Sequence, residues 1–197
     1  MIKNQTIEKM KNMRLNAMAG MYQNHLQNNL FNDTTPDEYI SLLTDHEWED
    51  RQNRKIQRLL KQAAFRQTAT VADINYTSAR NLDKNMFKRL ASLDFITKKQ
   101  NLILTGASGV GKSYLAQALG HQACLMGLKT QYYITARLFN RLKLAKVDGT
   151  YNKELKKLMR VDLLILDDFG LQAFDVHARE ALMDIIEDRF NEKSTLV

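Results

Sequence analysis

The chain has 197 residues, 44% of them hydrophobic and 26% charged, with a formal net charge of +7. This suits one globular domain plus a small appendage and excludes disordered and collagen-like chains. Cys124 is the single cysteine and the four histidines are scattered, which excludes a disulfide framework and a cysteine-based zinc cluster and suits a reducing compartment. Met1–Thr6 lacks the apolar stretch of a signal peptide and the longest aliphatic run, Leu163–Leu166, is too short to span a bilayer, so a soluble cytoplasmic protein with no membrane partner is expected.

The first segment reads as one helix, because Ile7, Met10, Arg14, Ala17, Met18 and Met21 recur at three- and four-residue steps and place a methionine-rich stripe on one face. That stripe is expected to pack in a core rather than hold a cofactor. A turn at Asn32-Asp33-Thr34-Thr35 leads into Pro36-Asp37-Glu38, where Thr35 and Glu38 have capping-box spacing and Pro36 stands at the first helical position. Trp48 to Ala64 reads as another helix, with Arg51, Arg54, Lys55, Arg58 and Gln62 opposite Ile56, Leu59, Leu60 and Ala63. Residues 1–65 are therefore expected to form a small helical module. Residues 66–80 have weak periodicity and many hydroxyls, as a connector would.

The remainder changes character. Leu102–Thr105, Thr130–Ile134 and Asp162–Leu166 are short apolar or β-favouring runs separated by helical stretches around 112–126 and 136–160. Strands alternating with helices predict an α/β fold with a parallel sheet and right-handed crossovers. No internal repeat or low-complexity tract interrupts it.

The strongest chemical signal is Gly106-Ala107-Ser108-Gly109-Val110-Gly111-Lys112-Ser113, a complete phosphate-binding loop between a predicted strand and a predicted helix. Its glycines let the backbone curl so that successive N–H groups face phosphate oxygens, and the helix adds the positive end of its dipole. Gly106 through Ser113, with Tyr114 next, are the expected nucleotide-binding residues; Lys112 would reach the β- and γ-phosphates and Ser113 would ligate Mg²⁺. The apolar strand Leu163–Leu166 ends in Asp167-Asp168, where a parallel strand delivers carboxylates to the ligand-binding edge. Asp167 is the expected second Mg²⁺ residue, and Asp168, with Lys112, the expected catalytic pair, Asp168 polarising the attacking water. Asp168-Phe169-Gly170 also spells the metal-binding triplet of protein kinases, but no His-Arg-Asp precedes it and the phosphate loop is of another type.

Residues 129–160 carry nine basic side chains against Asp148 and Glu154, a local excess equal to the net charge of the whole chain. Lys153, Lys156, Lys157 and Arg160 share one helical face; Arg137 and Arg141 form a pair on the helix before it, followed by Lys143, Lys146 and the break Asp148-Gly149-Thr150. Such spacing suits tracking a phosphate backbone, and no aromatic ladder for single-stranded bases is interleaved, which favours duplex DNA.

The phosphate loop, Leu163–Gly170, and Ile185–Phe190 ending in Ser194-Thr195-Leu196-Val197 closely resemble the IstB-like ATPases. These are AAA+ helpers of insertion-sequence transposases, related to DnaC-type helicase loaders. Met13–Ala19, Glu49–Phe65 and Leu90–Ile96 resemble the family's N-terminal half. The resemblance implies an AAA+ P-loop core of three layers over residues 81–197, preceded by the helical module. It implies an ATPase that assembles on duplex DNA as an ATP-dependent homo-oligomer and stimulates a DDE-type transposase. The module would make subunit or transposase contacts, and Arg141, Lys143, Lys146, Lys153 and Lys157 would face DNA. Asp168 stands where AAA+ proteins usually carry Glu, which implies slow hydrolysis. In the AAA+ strand order the strand opening at Ser194 is interior, so a core truncated at its C-terminus, without the lid and with impaired hydrolysis, is expected; Arg189 is expected to be a structural ion-pair residue rather than the trans-acting arginine. The alternatives are a helicase loader with the same core, favouring single strands, and a DNA-binding switch that holds ATP without turning it over. A small-molecule P-loop kinase is disfavoured because nothing in the sequence suggests an acceptor pocket.

Overall fold

A computed structural model describes residues 2–28, 34–76 and 82–197. Asn32-Asp33 of the expected turn and residues 77–80 of the expected connector lie outside the described residues. The chain divides into two compact units, Met1–Gln57 and Arg58–Val197.

In the first unit, α1 (Ile2–Asn12) and α2 (Asn16–Asn28) are two helices, not the single one that the methionine stripe predicts. The break has a local cause. Arg14 takes φ 61°, while the Leu15 N–H donates to Met10 O and the Arg14 N–H to Lys11 O, each at 2.9 Å, the paired bonds of a Schellman terminus. An arginine stands where glycine usually marks that stop. Helix α3 (Pro36–Ala63) begins as predicted: the Thr35 N–H donates to Glu38 Oε2 at 2.8 Å and the Glu38 N–H to Thr35 Oγ1 at 3.4 Å, a reciprocal capping box. It continues for 28 residues, so the helices read at Pro36 and at Trp48–Ala64 are one; no glycine or proline falls between Asp37 and Ala63 to divide them.

Glu47 of α3 is buried. It accepts the N–H groups of Ala17 and Met18 at 2.9 and 3.2 Å, setting a carboxylate on the first turn of α2, where the helix dipole favours it. Arg51 donates Nε to Glu47 at 2.8 Å and Nη2 to Arg14 O at 3.2 Å. Burial opposes ionisation of Glu47, but the Arg51 guanidinium and the two N–H groups outweigh it and hold the carboxyl below its ordinary range.

In the second unit, α4 (Lys84–Ala91), α5 (Asp94–Thr97), α6 (Lys112–Leu125), β1 (Thr130–Ile134), α7 (Thr135–Val147), α8 (Tyr151–Met159), β2 (Leu163–Asp167), α9 (Val176–Arg189) and β3 (Ser194–Leu196) follow in order. The strands pair in parallel as β1-β2-β3. The far side of β3 pairs with the segment before the phosphate loop: the Leu102 N–H donates to Thr195 O, the Val197 N–H to Leu102 O and the Leu104 N–H to Val197 O, at 2.8–2.9 Å. The Ser194–Leu196 strand is thus interior, as expected.

Strand β2 is apolar from Leu163 to Leu166, as a strand covered by helices on both faces must be. Leu163 and Ile165 join a core with α4, α5, α6 and part of residues 65–76, while Leu164 and Leu166 join a second core with α7, α8 and α9. Those alternating directions make the three layers. Close approach of α6 to the sheet depends on Gly120, where a Cβ would lie 2.7 Å from Ile165 Cδ1 and 2.8 Å from Phe65 Cε1.

Candidate functional site

The phosphate loop leaves the sheet after Leu104 and enters α6 at Lys112. Gly111 is the N-cap of α6 at φ 95°, a conformation that L side chains rarely adopt. No acidic residue occupies the first turn of α6, so the positive end of its dipole is not offset there. Lys112 Nζ donates to the carbonyls of Gly106 and Ala107, each at 2.8 Å, which folds the ammonium back over the loop.

Asp167 closes β2 and is held from three directions. Ser113 Oγ donates to its Oδ1 at 2.8 Å, the Asp168 N–H to the same oxygen at 2.9 Å, and the Tyr132 hydroxyl to Oδ2 at 2.6 Å. Thr135, the first residue of α7, donates its hydroxyl to the Asp167 carbonyl at 2.7 Å. Burial, followed by the bond to Asp167, pushes the Tyr132 phenol far above its ordinary value, so it remains a donor at neutral pH.

Asp168 takes φ 55° and is exposed. That left-handed turn breaks the alternation of β2, and both Asp167 and Asp168 line the same cleft. The cleft has a volume of about 600 Å³, within the range of small-ligand sites. All of Gly106–Tyr114 except Ala107 and Val110 lines it; Ala107 contributes its carbonyl to Lys112 instead. Gln67 is a lining residue that sequence reasoning missed. It is placed by the buried Gln117 of α6, whose Oε1 accepts the N–H groups of Arg66 and Gln67 at 2.8 and 3.1 Å and whose Nε2 donates to Ser113 O at 3.1 Å. Tyr132 and Thr135 were missed too; inward strand alternation marks Tyr132 only as a core residue.

The donor set fits Mg²⁺. A serine hydroxyl and a carboxylate are hard oxygen ligands, and among the described residues no group of three His, Cys, Asp or Glu side chains could hold a metal by itself.

Four of the five basic residues expected to face DNA are paired with carboxylates. Arg141 and Lys157 both pair with Glu154. Lys143 Nζ lies 3.0 Å from Asp175 Oδ2, and Lys146 Nζ 2.7 Å from Glu180 Oε2 and 4.9 Å from the Tyr151 ring centre. Lys153 is exposed on α8, opposite the buried Leu155 and Leu158. The excess counted along 129–160 is therefore reduced in space by Asp175 and Glu180, which come later in the chain. Arg189, expected as an ion-pair residue, forms no ion pair among the described residues. It is buried and donates to Leu158 O, Val161 O, Ser194 O and Thr195 Oγ1 at 2.5–3.1 Å. Burial lowers its guanidinium to about 10, opposed by Asp162, so it stays charged at neutral pH and fastens the end of α8 to β3.

A parallel sheet, a phosphate loop opening α6 and an aspartate at the end of β2, across β3 from the loop's own segment and bonded to the loop serine, define a P-loop protein of the AAA+ fold. The same fold is found in the DnaC helicase loader, at TM-score 0.55 and 24% identity over 65% of this chain and 75% of that one. It is found again in DnaI, at TM-score 0.55 and 24% identity over 71% and 73%. Residues 8–197 match the model of the family described as IstB-like ATP binding protein, and the chain belongs to that family. An insertion sequence ATP-binding protein of Sinorhizobium fredii is 39% identical over 197 residues, covering all of this chain and 80% of its own length. The ATP-binding protein of insertion sequence IS1162 from Pseudomonas fluorescens is 37% identical over 198 residues, covering all of this chain and 86% of its own.

Proposed function

We propose that this chain is an ATP-dependent DNA-binding helper of a DDE-type transposase, which assembles on duplex target DNA as a homo-oligomer and is regulated by ATP hydrolysis. The observation that carries the reading is Asp167, whose carboxylate meets Ser113 of the phosphate loop while its carbonyl holds Thr135, the start of the basic helix α7. In this reading one residue links the phosphate loop to the helix that would face DNA.

In this reading Gly106–Tyr114 bind ATP, Lys112 exchanges its loop carbonyls for β- and γ-phosphate oxygens, and Ser113 and Asp167 hold Mg²⁺. The metal, when bound, neutralises charge on the phosphates. Asp168 accepts a proton from the attacking water; its short side chain on a left-handed backbone fits slow turnover. Arg141, Lys143, Lys146, Lys153 and Lys157 contact DNA phosphates; Lys143 and Lys146 do so by exchanging exposed carboxylate partners, which hold them weakly, and Arg141 and Lys157 by leaving the part-buried Glu154 that they share. Residues 1–65 provide subunit or transposase contacts, 66–80 form the connector and 81–197 the ATPase core. Among the described residues no helix is long and apolar enough to cross a membrane.

The test is sedimentation of the chain with duplex and with single-stranded DNA, each with and without ATP and Mg²⁺, combined with phosphate release. ATP-dependent assembly on the duplex, with slow release, is the expected result. Preference for single strands would replace the reading with that of a helicase loader, and assembly without phosphate release would replace it with that of a binding switch.

A further inference from the structure

Asp167 has one carboxylate oxygen turned to the phosphate loop and the other turned to β1. Nothing in the covalent geometry fixes that choice, because the terminal torsion of an aspartate is broad and nearly two-fold. The Oδ2 atom receives its bond from Tyr132, a side chain only 5% exposed, at 2.6 Å. The ring of Tyr132 cannot follow a rotating carboxylate, since it is packed in the core between α6 and the sheet with Ile165, its register partner on β2. Oδ1 is left for Ser113 and the Asp168 N–H.

We propose that Tyr132 is the positioning residue of the metal site: its hydroxyl fixes the Asp167 carboxylate so that Oδ1 stands toward Ser113 and the Mg²⁺ of a bound nucleotide. The inference rests on the reading of this cleft as an ATP–Mg²⁺ site. Tyr132 touches neither metal nor nucleotide, and its effect passes through Asp167. A hydrogen bond to the outer oxygen of a metal-binding carboxylate orients the ligand, and removal of such partners lowers metal affinity by about 10–100-fold. Binding of the nucleotide without metal does not use the contact.

The experiment is titration of the full chain with Mn²⁺, read by electron paramagnetic resonance, in the presence of a non-hydrolysable ATP analogue. Nucleotide affinity in EDTA and thermal melting are measured beside it. Tyr132→Phe keeps the ring in the core and removes only the hydroxyl. Tyr133→Phe is the control, because that hydroxyl bonds Gln131 at 2.9 Å and not Asp167. A loss of Mn²⁺ affinity of about tenfold in Tyr132→Phe, with metal-free nucleotide affinity unchanged and Tyr133→Phe like the parent chain, supports the proposal. Unchanged Mn²⁺ affinity in Tyr132→Phe overturns it, as does a lower melting temperature without a change in Mn²⁺ affinity, which would make the hydroxyl structural only. If the parent chain binds the analogue but gains no Mn²⁺ site with it, the reading of the cleft fails, and the proposal with it.

Discussion

Ser113 and Asp167 stand 54 residues apart in the chain, yet their hydroxyl and carboxylate meet at 2.8 Å. The meeting is a product of strand order, because β3 lies between β2 and the segment that feeds the phosphate loop and sets the spacing between them. Asp167→Asn keeps the shape of this contact and removes its charge. Mg²⁺-dependent binding of ATP is expected to weaken by about 100-fold, while metal-free nucleotide binding, measured by calorimetry in EDTA, changes little. Equal Mg²⁺ dependence in the two chains would exclude Asp167 as a metal ligand.

The ion pairs Lys143–Asp175 and Lys146–Glu180 make a prediction opposite in sign to most surface mutations. If these lysines contact DNA, freeing them should help. Asp175→Asn with Glu180→Gln is expected to tighten duplex binding by about twofold to fivefold at low salt, within what exposed pairs are worth. Asn at 175 can still cap α9, where Asp175 Oδ1 accepts the Ala178 N–H at 2.7 Å. Lys143→Ala should lower the slope of log affinity against log salt by about one. Salt titration of fluorescence anisotropy checks both, and an unchanged slope would remove Lys143 from the DNA surface.

The phosphate loop was legible in the sequence because its chemistry is local: eight adjacent residues, a strand before and a helix after. The interior position of Ser194–Leu196 followed from family resemblance and not from any pattern within three residues. Contacts set by tertiary placement were not legible. Tyr132 reads as one more apolar strand position, and only the β1–β2 register brings its hydroxyl to Asp167. The charge count along 129–160 could not see Asp175 and Glu180, whose side chains arrive from α9 and its N-cap, beyond β2. The break at Arg14 was hidden because arginine, unlike glycine, gives no warning of a left-handed residue.

Glu47 predicts a pH dependence in the first unit. Its folded value is depressed, so its stabilisation is fully present above the ordinary value of 4.5 and is lost as pH falls through the lower folded value. Amide exchange at Ala17 and Met18 should therefore rise below that range beyond the intrinsic trend. Glu47→Gln should cost about 2 kcal/mol at neutral pH, the scale of hydrogen bonds to a charged group, and should abolish the extra acid sensitivity. Parallel acid profiles in both chains would assign the sensitivity elsewhere.

Arg189 spans four acceptors that a single ammonium cannot reach in the same geometry. Arg189→Lys is expected to lose about 2–4 kcal/mol of stability in urea unfolding, since it leaves buried carbonyls unpaired around a buried charge. A change below about 0.5 kcal/mol, the range of ordinary surface substitutions, would show that the clamp between α8 and β3 is dispensable.

The most direct test of the whole account is duplex DNA binding by the parent chain and by Lys112→Ala, each with and without ATP and Mg²⁺, with thermal melting to confirm folding. ATP is expected to raise the affinity and the size of the assembly for the parent chain only, with both chains alike when nucleotide is absent. An equal response to ATP in Lys112→Ala, or no response in the parent chain, would contradict it.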